Sequence, residues 1–118
     1  MGEPAYFGPL VERAARDEAA VRTREQQARD ALPRLVRLLV ERYGARRVVL
    51  VGSLARGTFD ARSDVDLVVE GLSLEDLLRA RAEAEDLAGL PVDLLRRERL
   101  SDGWRRHHDR YGEVLHGS

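Results

Sequence analysis

Two apolar runs, Val48-Val49-Leu50-Val51 and Val65 to Val69, constrain this chain more than anything else in it, because of what joins them. The first run ends in Gly52-Ser53; after ten intervening residues the second opens with Asp64-Val65-Asp66. Each run is the length of a strand and too short for a buried helix. Side chains alternate along a strand, so Asp64 and Asp66 leave the same face at its mouth. Two carboxylates held together repel unless a cation lies between them, and Mg²⁺ favours hard oxygen ligands completed by water and phosphate. Gly52 permits a tight exit from the first strand, and Ser53 with the amides after it can donate to phosphate oxygens.

The elements around this pair follow an α/β order. Residues 9 to 30 are charged and rich in helix formers. Their apolar stripe, Phe7, Ala14, Val21, Ala28 and Leu35, is too thin to bury against a large core. It reads as a solvated arm, or as a helix that pairs with itself or a partner. A firmer helix is expected from about Asp30 to Tyr43, with Pro33 in its first turn and Gly44 as its stop. Strands follow at Arg47 to Val51 and about Val65 to Glu70. Ser73 and Asp76 resemble a helix N-cap pair. The next helix, Leu74 to about Ala88, shows Leu74, Leu77, Leu78, Ala82 and Leu87 as its apolar positions. A third strand spans Val92 to Leu95. A basic helix around Trp104 to Arg110 and an apolar scrap, Val114-Leu115, close the chain. The expected organisation is an arm at 1–30 and one domain at 31–118. Strands this apolar imply a sheet covered on both faces.

Asp93 sits inside the third apolar strand, where an acid is costly without a partner. If strands two and three are parallel and adjacent, Asp93 faces Asp64 and Asp66 across about 5 Å. Strand one must end where strand two begins, so that pair is antiparallel and the small sheet of three to four strands is mixed. Three convergent carboxylates suit a two-metal phosphoryl-transfer site.

Composition excludes much else. The 118 residues contain no cysteine, so there is no disulfide framework or thiolate metal site. No apolar run approaches the roughly 18 residues of a membrane span, which points to a cytoplasmic protein. The net charge of -1 argues against nucleic-acid binding. All twenty basic residues are arginine, so any cationic phosphate ligand is an Arg fork. Arg56, four residues after Gly52, is within reach of a γ-phosphate, and Arg62 stands just before the acids. Arg96, Arg97, Arg99, Arg105, Arg106 and Arg110 form a basic cluster interrupted by Glu98, Asp102 and Asp109; a solvated helix face accounts for it best. His107 and His108 diverge on a helix and make a poor metal pair. Trp104 and Tyr111 read as core or interface fillers.

Gly52-Ser53-Leu54-Ala55-Arg56-Gly57 with Ser63-Asp64-Val65-Asp66-Leu67 resembles the minimal nucleotidyltransferases of the DNA polymerase β superfamily, often the antitoxin halves of HEPN/MNT toxin–antitoxin pairs. The likeness runs from about Leu32 to Leu115. It implies that Gly52 and Ser53 bind the triphosphate of ATP, that Asp64 and Asp66 bind Mg²⁺, and that Asp93 completes a two-ion site and activates the acceptor. The implied reaction is AMP transfer from ATP to a protein hydroxyl, a tyrosine of the HEPN toxin. Two features depart from the pattern: the long arm, and a short connection between strands two and three that would trim the wall of the nucleotide pocket. The rival readings are an antitoxin acting by contact alone, and nucleotidyl transfer to a small molecule or RNA. A small substrate would need a homo-oligomer to complete its pocket.

Overall fold

The computed structural model describes residues 3–117. Helix α1 (Glu3–Arg37) passes into a π-helical turn at Leu38–Arg42, and β1 (Arg47–Val51), α2 (Gly52–Arg56) and β2 (Val65–Glu70) follow. Then come α3 (Leu74–Ala88), β3 (Val92–Arg96), a 3₁₀ turn at Arg97–Arg99, α4 (Asp102–Tyr111) and β4 (Glu113–His116). The four strands form one mixed sheet in the order β3-β2-β1-β4. The β1–β2 and β1–β4 pairs are antiparallel and β2–β3 is parallel, as the sequence required of the first three strands. The scrap Val114-Leu115 becomes the edge strand β4, pairing with β1 through Val49 and Leu50. Among the described residues no helix is long and apolar enough to cross a membrane.

Helices lie on both sheet faces, as expected, but cover them unequally. Val48 and Leu50, Val65, Leu67 and Val69, and Val92 and Leu94 point to one side and form the main core with α1 and α3. The other side carries only Val49, Val51 and Val68, backed by Leu95 and Leu100. The strands read as continuously apolar because both faces touch hydrocarbon, but α4 shields only part of the second. That partial cover leaves a cleft.

Two helical details differ from expectation. No break separates the arm from the firmer helix: α1 runs through Pro33, which sits on the exposed side. There the Arg29 carbonyl that a non-proline amide would have engaged can turn to water. The buried face of α3 is Leu77, Ala80, Ala84 and Ala88, while Leu78 is 61% exposed and Leu74 and Leu87 also face outward. Alanines at helical spacing let α3 approach α1, whose Ala28 and Ala31 are fully buried; leucines there would hold the helices apart. The N-cap of α3 is as expected, with the Asp76 amide donating to Ser73 Oγ at 3.1 Å.

Along α1 the side chains of residues 11–20 are all exposed, and packing begins between Val21 and Arg24. Phe7 lies outside the residues whose side chains are described. Gln27 donates to the Ala88 carbonyl at the end of α3, at 2.9 Å.

Candidate active site

Gly52 turns the chain out of β1 with φ +76°, a conformation L side chains rarely adopt. A second constraint is as strict. A Cβ at Gly52 would overlap a carboxylate oxygen of Asp66 and lie 3.1 Å from its Cγ. The two halves of the motif therefore touch, and glycine is required by the acid as well as by the bend.

Helix α2 is one turn of chain closed by Gly57, whose amide donates to the Ser53 carbonyl; the Thr58 amide donates there too, at 2.9 Å. The loop beyond is fastened around Asp60. Its carboxylate accepts from the Arg62 amide at 2.8 Å and from Ser63 Oγ at 3.2 Å, which holds its pKa below the usual carboxylate value. Helix α1 clamps both pieces. Arg29 donates to the Leu54 carbonyl of α2 at 3.0 Å and to Glu113 of β4 at 2.8 Å. Arg24 donates to the Ser63 carbonyl at 2.9 Å, immediately before Asp64, with its guanidinium 5.8 Å from the Phe59 ring centre.

The strand register then sets the acids. Asp66 stands opposite Val51 on β1 and level with Asp93 on β3, so the two carboxylates occupy neighbouring positions on the thinly covered face. Burial pushes the Asp66 carboxyl up to about 6, and the charges of Asp93 and then Asp64 push the same way, against a smaller opposing pull from Arg56. Gly52, Arg56 and Asp66 line one open cleft of about 910 Å³; Ser53, Asp64 and Asp93 stand outside its lining. Among the described residues no three acids or histidines are already gathered into a metal-ligating cluster. The electrostatics and the geometry thus describe three acids close enough to feel one another but not drawn to a common point. Like charges settle that way, and a divalent cation would offset the repulsion. The donor set, hard carboxylate oxygens beside a phosphate-sized turn, fits Mg²⁺.

The far wall of the cleft was not legible as site residues. It is formed by Leu95, Leu100 and α4, through Trp104, His107, His108 and Tyr111. Trp104 and Tyr111 are 57% and 59% exposed, so of the two roles expected of them, core or interface filler, the core one is excluded. The signal was present: these four residues fall at i, i+3, i+4 and i+7, one helical face. Of the basic cluster around them, Arg99, Arg106 and Arg110 are exposed, whereas Arg96, Arg97 and Arg105 hold structure. Asp109 receives Arg47 at 2.8 Å and Arg97 at 2.9 Å, pinning α4 to the sheet. Arg105 donates to the carbonyls of Arg97 and Glu98, and Arg96 to that of Leu72.

Residues 32–113 match the family model described as nucleotidyltransferase domain. The chain belongs to that family. Among curated relatives, a protein of Methanocaldococcus jannaschii named as a protein adenylyltransferase is 40% identical over 57 residues, 46% of this chain. The chain spans only 61% of that relative's length. Protein adenylyltransferase MntA of Thermococcus cleftensis is 37% identical over 68 residues, 55% of this chain and 69% of the relative. A solved minimal nucleotidyltransferase superposes with a TM-score of 0.68 at 32% identity, covering 77% of this chain and 95% of that one. A crystal structure of a toxin–antitoxin with AMP-PNP has a TM-score of 0.67, covering 74% of this chain and 73% of that one. Its 21% identity carries the shared fold and no more. This nucleotidyltransferase domain therefore shares its fold with a solved minimal nucleotidyltransferase.

Proposed function

We propose that the chain is a Mg²⁺-dependent nucleotidyltransferase that moves AMP from ATP to a tyrosine hydroxyl of a partner HEPN toxin, and so acts as an antitoxin. The observation that carries the reading is the parallel β2–β3 register, which sets Asp93 beside Asp66 at the mouth of the turn formed by Gly52. In this reading the backbone amides at Gly52 and Ser53 donate to the triphosphate, and Arg56, on the cleft wall, neutralises its far end. Asp64, Asp66 and Asp93 would hold Mg²⁺, two ions at full occupancy, which when bound neutralise phosphate charge and lower the acceptor's pKa. Asp93 takes the phenolic proton as the tyrosyl oxygen forms its bond to the α-phosphorus. The bond from that phosphorus to the bridging oxygen breaks in line, and pyrophosphate leaves along the Gly52 turn. The protein's work is positioning and charge neutralisation, as phosphoryl transfer requires.

The curated relatives named as protein adenylyltransferases favour a protein acceptor. So does the open cleft, since a partner can supply the missing wall. The test is incubation of the chain and a co-expressed HEPN-type partner with α-labelled ATP and Mg²⁺. Label should appear on the partner and disappear with Asp64→Asn or Asp93→Asn. Labelling that survives both substitutions sinks the assignment; protection from the toxin without any label replaces it with masking by contact.

A further inference from the structure

Gly52, Arg56 and Asp66 line one part of the cleft, and nothing in the transfer chemistry accounts for the rest. There, Trp104, His107 and Tyr111 present rings from a single face of α4, yet do not serve the core. They touch one another: Trp104 meets His107 edge-on at 5.5 Å between ring centres, and His107 lies 4.9 Å from Tyr111. Trp104 also stacks on His108 at 5.5 Å with 30° between planes. Large rings left more than half exposed forgo the burial that normally places them. The helix is not free to turn them inward, because Asp109, on its other side, is held by Arg47 and Arg97. Burial and then the neighbouring His107 lower the pKa of His108, against a smaller opposing pull from Asp109.

A cleft with charge-handling groups at one end and flat rings at the other has the polarity of a nucleotide, a polyanionic tail joined to a planar base. Its volume of about 910 Å³ is in the range of small-molecule sites, roughly 300–1,000 Å³. We propose that the Trp104–His107–Tyr111 face of α4 is the platform on which the base of the nucleoside triphosphate stacks. This rests on the nucleotidyl-transfer reading of the Gly52 end and adds the base subsite to it. Stacking reads ring area rather than hydrogen-bond pattern. Purine nucleotides are therefore favoured over pyrimidine ones, with little discrimination between adenine and guanine from this face.

Trp104 is the only tryptophan, so its fluorescence reports from the platform alone. The full chain is titrated with AMP-PNP and, separately, with inorganic tripolyphosphate, both with Mg²⁺, following emission and binding heat. AMP-PNP should quench Trp104; tripolyphosphate should bind without quenching. Trp104→Ala should weaken AMP-PNP about five- to 150-fold, from the usual 1–3 kcal/mol for a stacked base. It should leave tripolyphosphate unchanged, and Trp104→Phe should retain most of the affinity. An exposed ring can be removed without unfolding the chain, and Tyr111→Ala provides a second variant. AMP-PNP binding that neither quenches Trp104 nor weakens in Trp104→Ala overturns the platform while leaving the transfer reading intact. Loss of acceptor labelling with AMP-PNP affinity unchanged gives the face to the acceptor instead. Equal loss of both ligands shows a merely structural role, and failure of both to bind the unaltered chain removes the nucleotide reading itself.

Discussion

Asp66 pays a price in stability for its position. It is half-buried against Gly52, level with Asp93 and two residues from Asp64, and its carboxyl is pushed up to about 6 from 3.8. A raised folded-state value means that the native protein holds the proton more tightly than the unfolded chain. Stability is therefore greatest below about 3.8 on this account and declines as the pH rises through about 6. Unscreened, such a shift corresponds to about 3 kcal/mol, and solvent screening of a half-exposed group reduces it to about 1 kcal/mol. In EDTA, Asp66→Asn should therefore be more stable than the unaltered chain at pH 8, by about 1 kcal/mol, and equal to it near pH 4. Urea melts at both pH values measure this. An Asn variant less stable at pH 8 would mean that the carboxylate is held by favourable contacts rather than crowded by its neighbours.

At the scale of elements, α1 does more than cover the sheet. Arg29 alone joins α1 to α2 and to β4, through the Leu54 carbonyl and the Glu113 carboxylate. Arg29→Ala leaves a carbonyl and a half-exposed acid without their cation and should cost about 1–2 kcal/mol by chemical denaturation. Arg29→Lys should recover less than half of that, because one ammonium cannot span two partners as the guanidinium fork does; full recovery by lysine would reduce the contact to simple charge. Such long-range clamps leave no local pattern and were not legible in the sequence. The strands were, because Val48–Val51 and Val65–Val69 are apolar runs bounded by Gly52 and Gly71. The antiparallel and parallel pairings followed from where Gly52-Ser53 and the aspartates must meet. For α3, only Leu77 of the apolar positions read from the sequence is buried; Ala80, Ala84 and Ala88 complete the buried face, because close approach to α1 selects the smaller residue. Trp104 and Tyr111 were read as core or interface fillers, and sequence could not choose between the two: it reports that a side chain is apolar, not that a helix is pinned so as to leave it in the open.

For the molecule as a whole, shape separates what folds from what projects. A compact chain of this length has a radius of gyration of about 13.5 Å. The observed value is 17.7 Å, with extents of 64 × 30 × 20 Å. The excess comes from the first half of α1, where every side chain from Val11 to Ala20 is exposed and the first anchors to the rest are Arg24 and Gln27. A segment that buries nothing adds only its own helix propensity, which a solvated helix of this length barely repays against its ordering entropy. Removing residues 1–20 should therefore leave the thermal midpoint within about 1 °C and the affinity for AMP-PNP unchanged, since the described side chains there, Leu10 to Ala20, are all exposed and a change at such a surface is close to neutral. Extending the deletion through residue 29 removes Arg24, Gln27, Ala28 and Arg29 together, and with them the clamps on α2 and on the loop before Asp64. That chain should melt several degrees lower, the shift expected from losing a few kcal/mol in a domain of this size. Differential scanning calorimetry on the two truncations decides it. A large drop already at residue 20 would mean that the arm folds back against the domain in solution, and equal stability of the two would mean that the arginine clamps hold nothing.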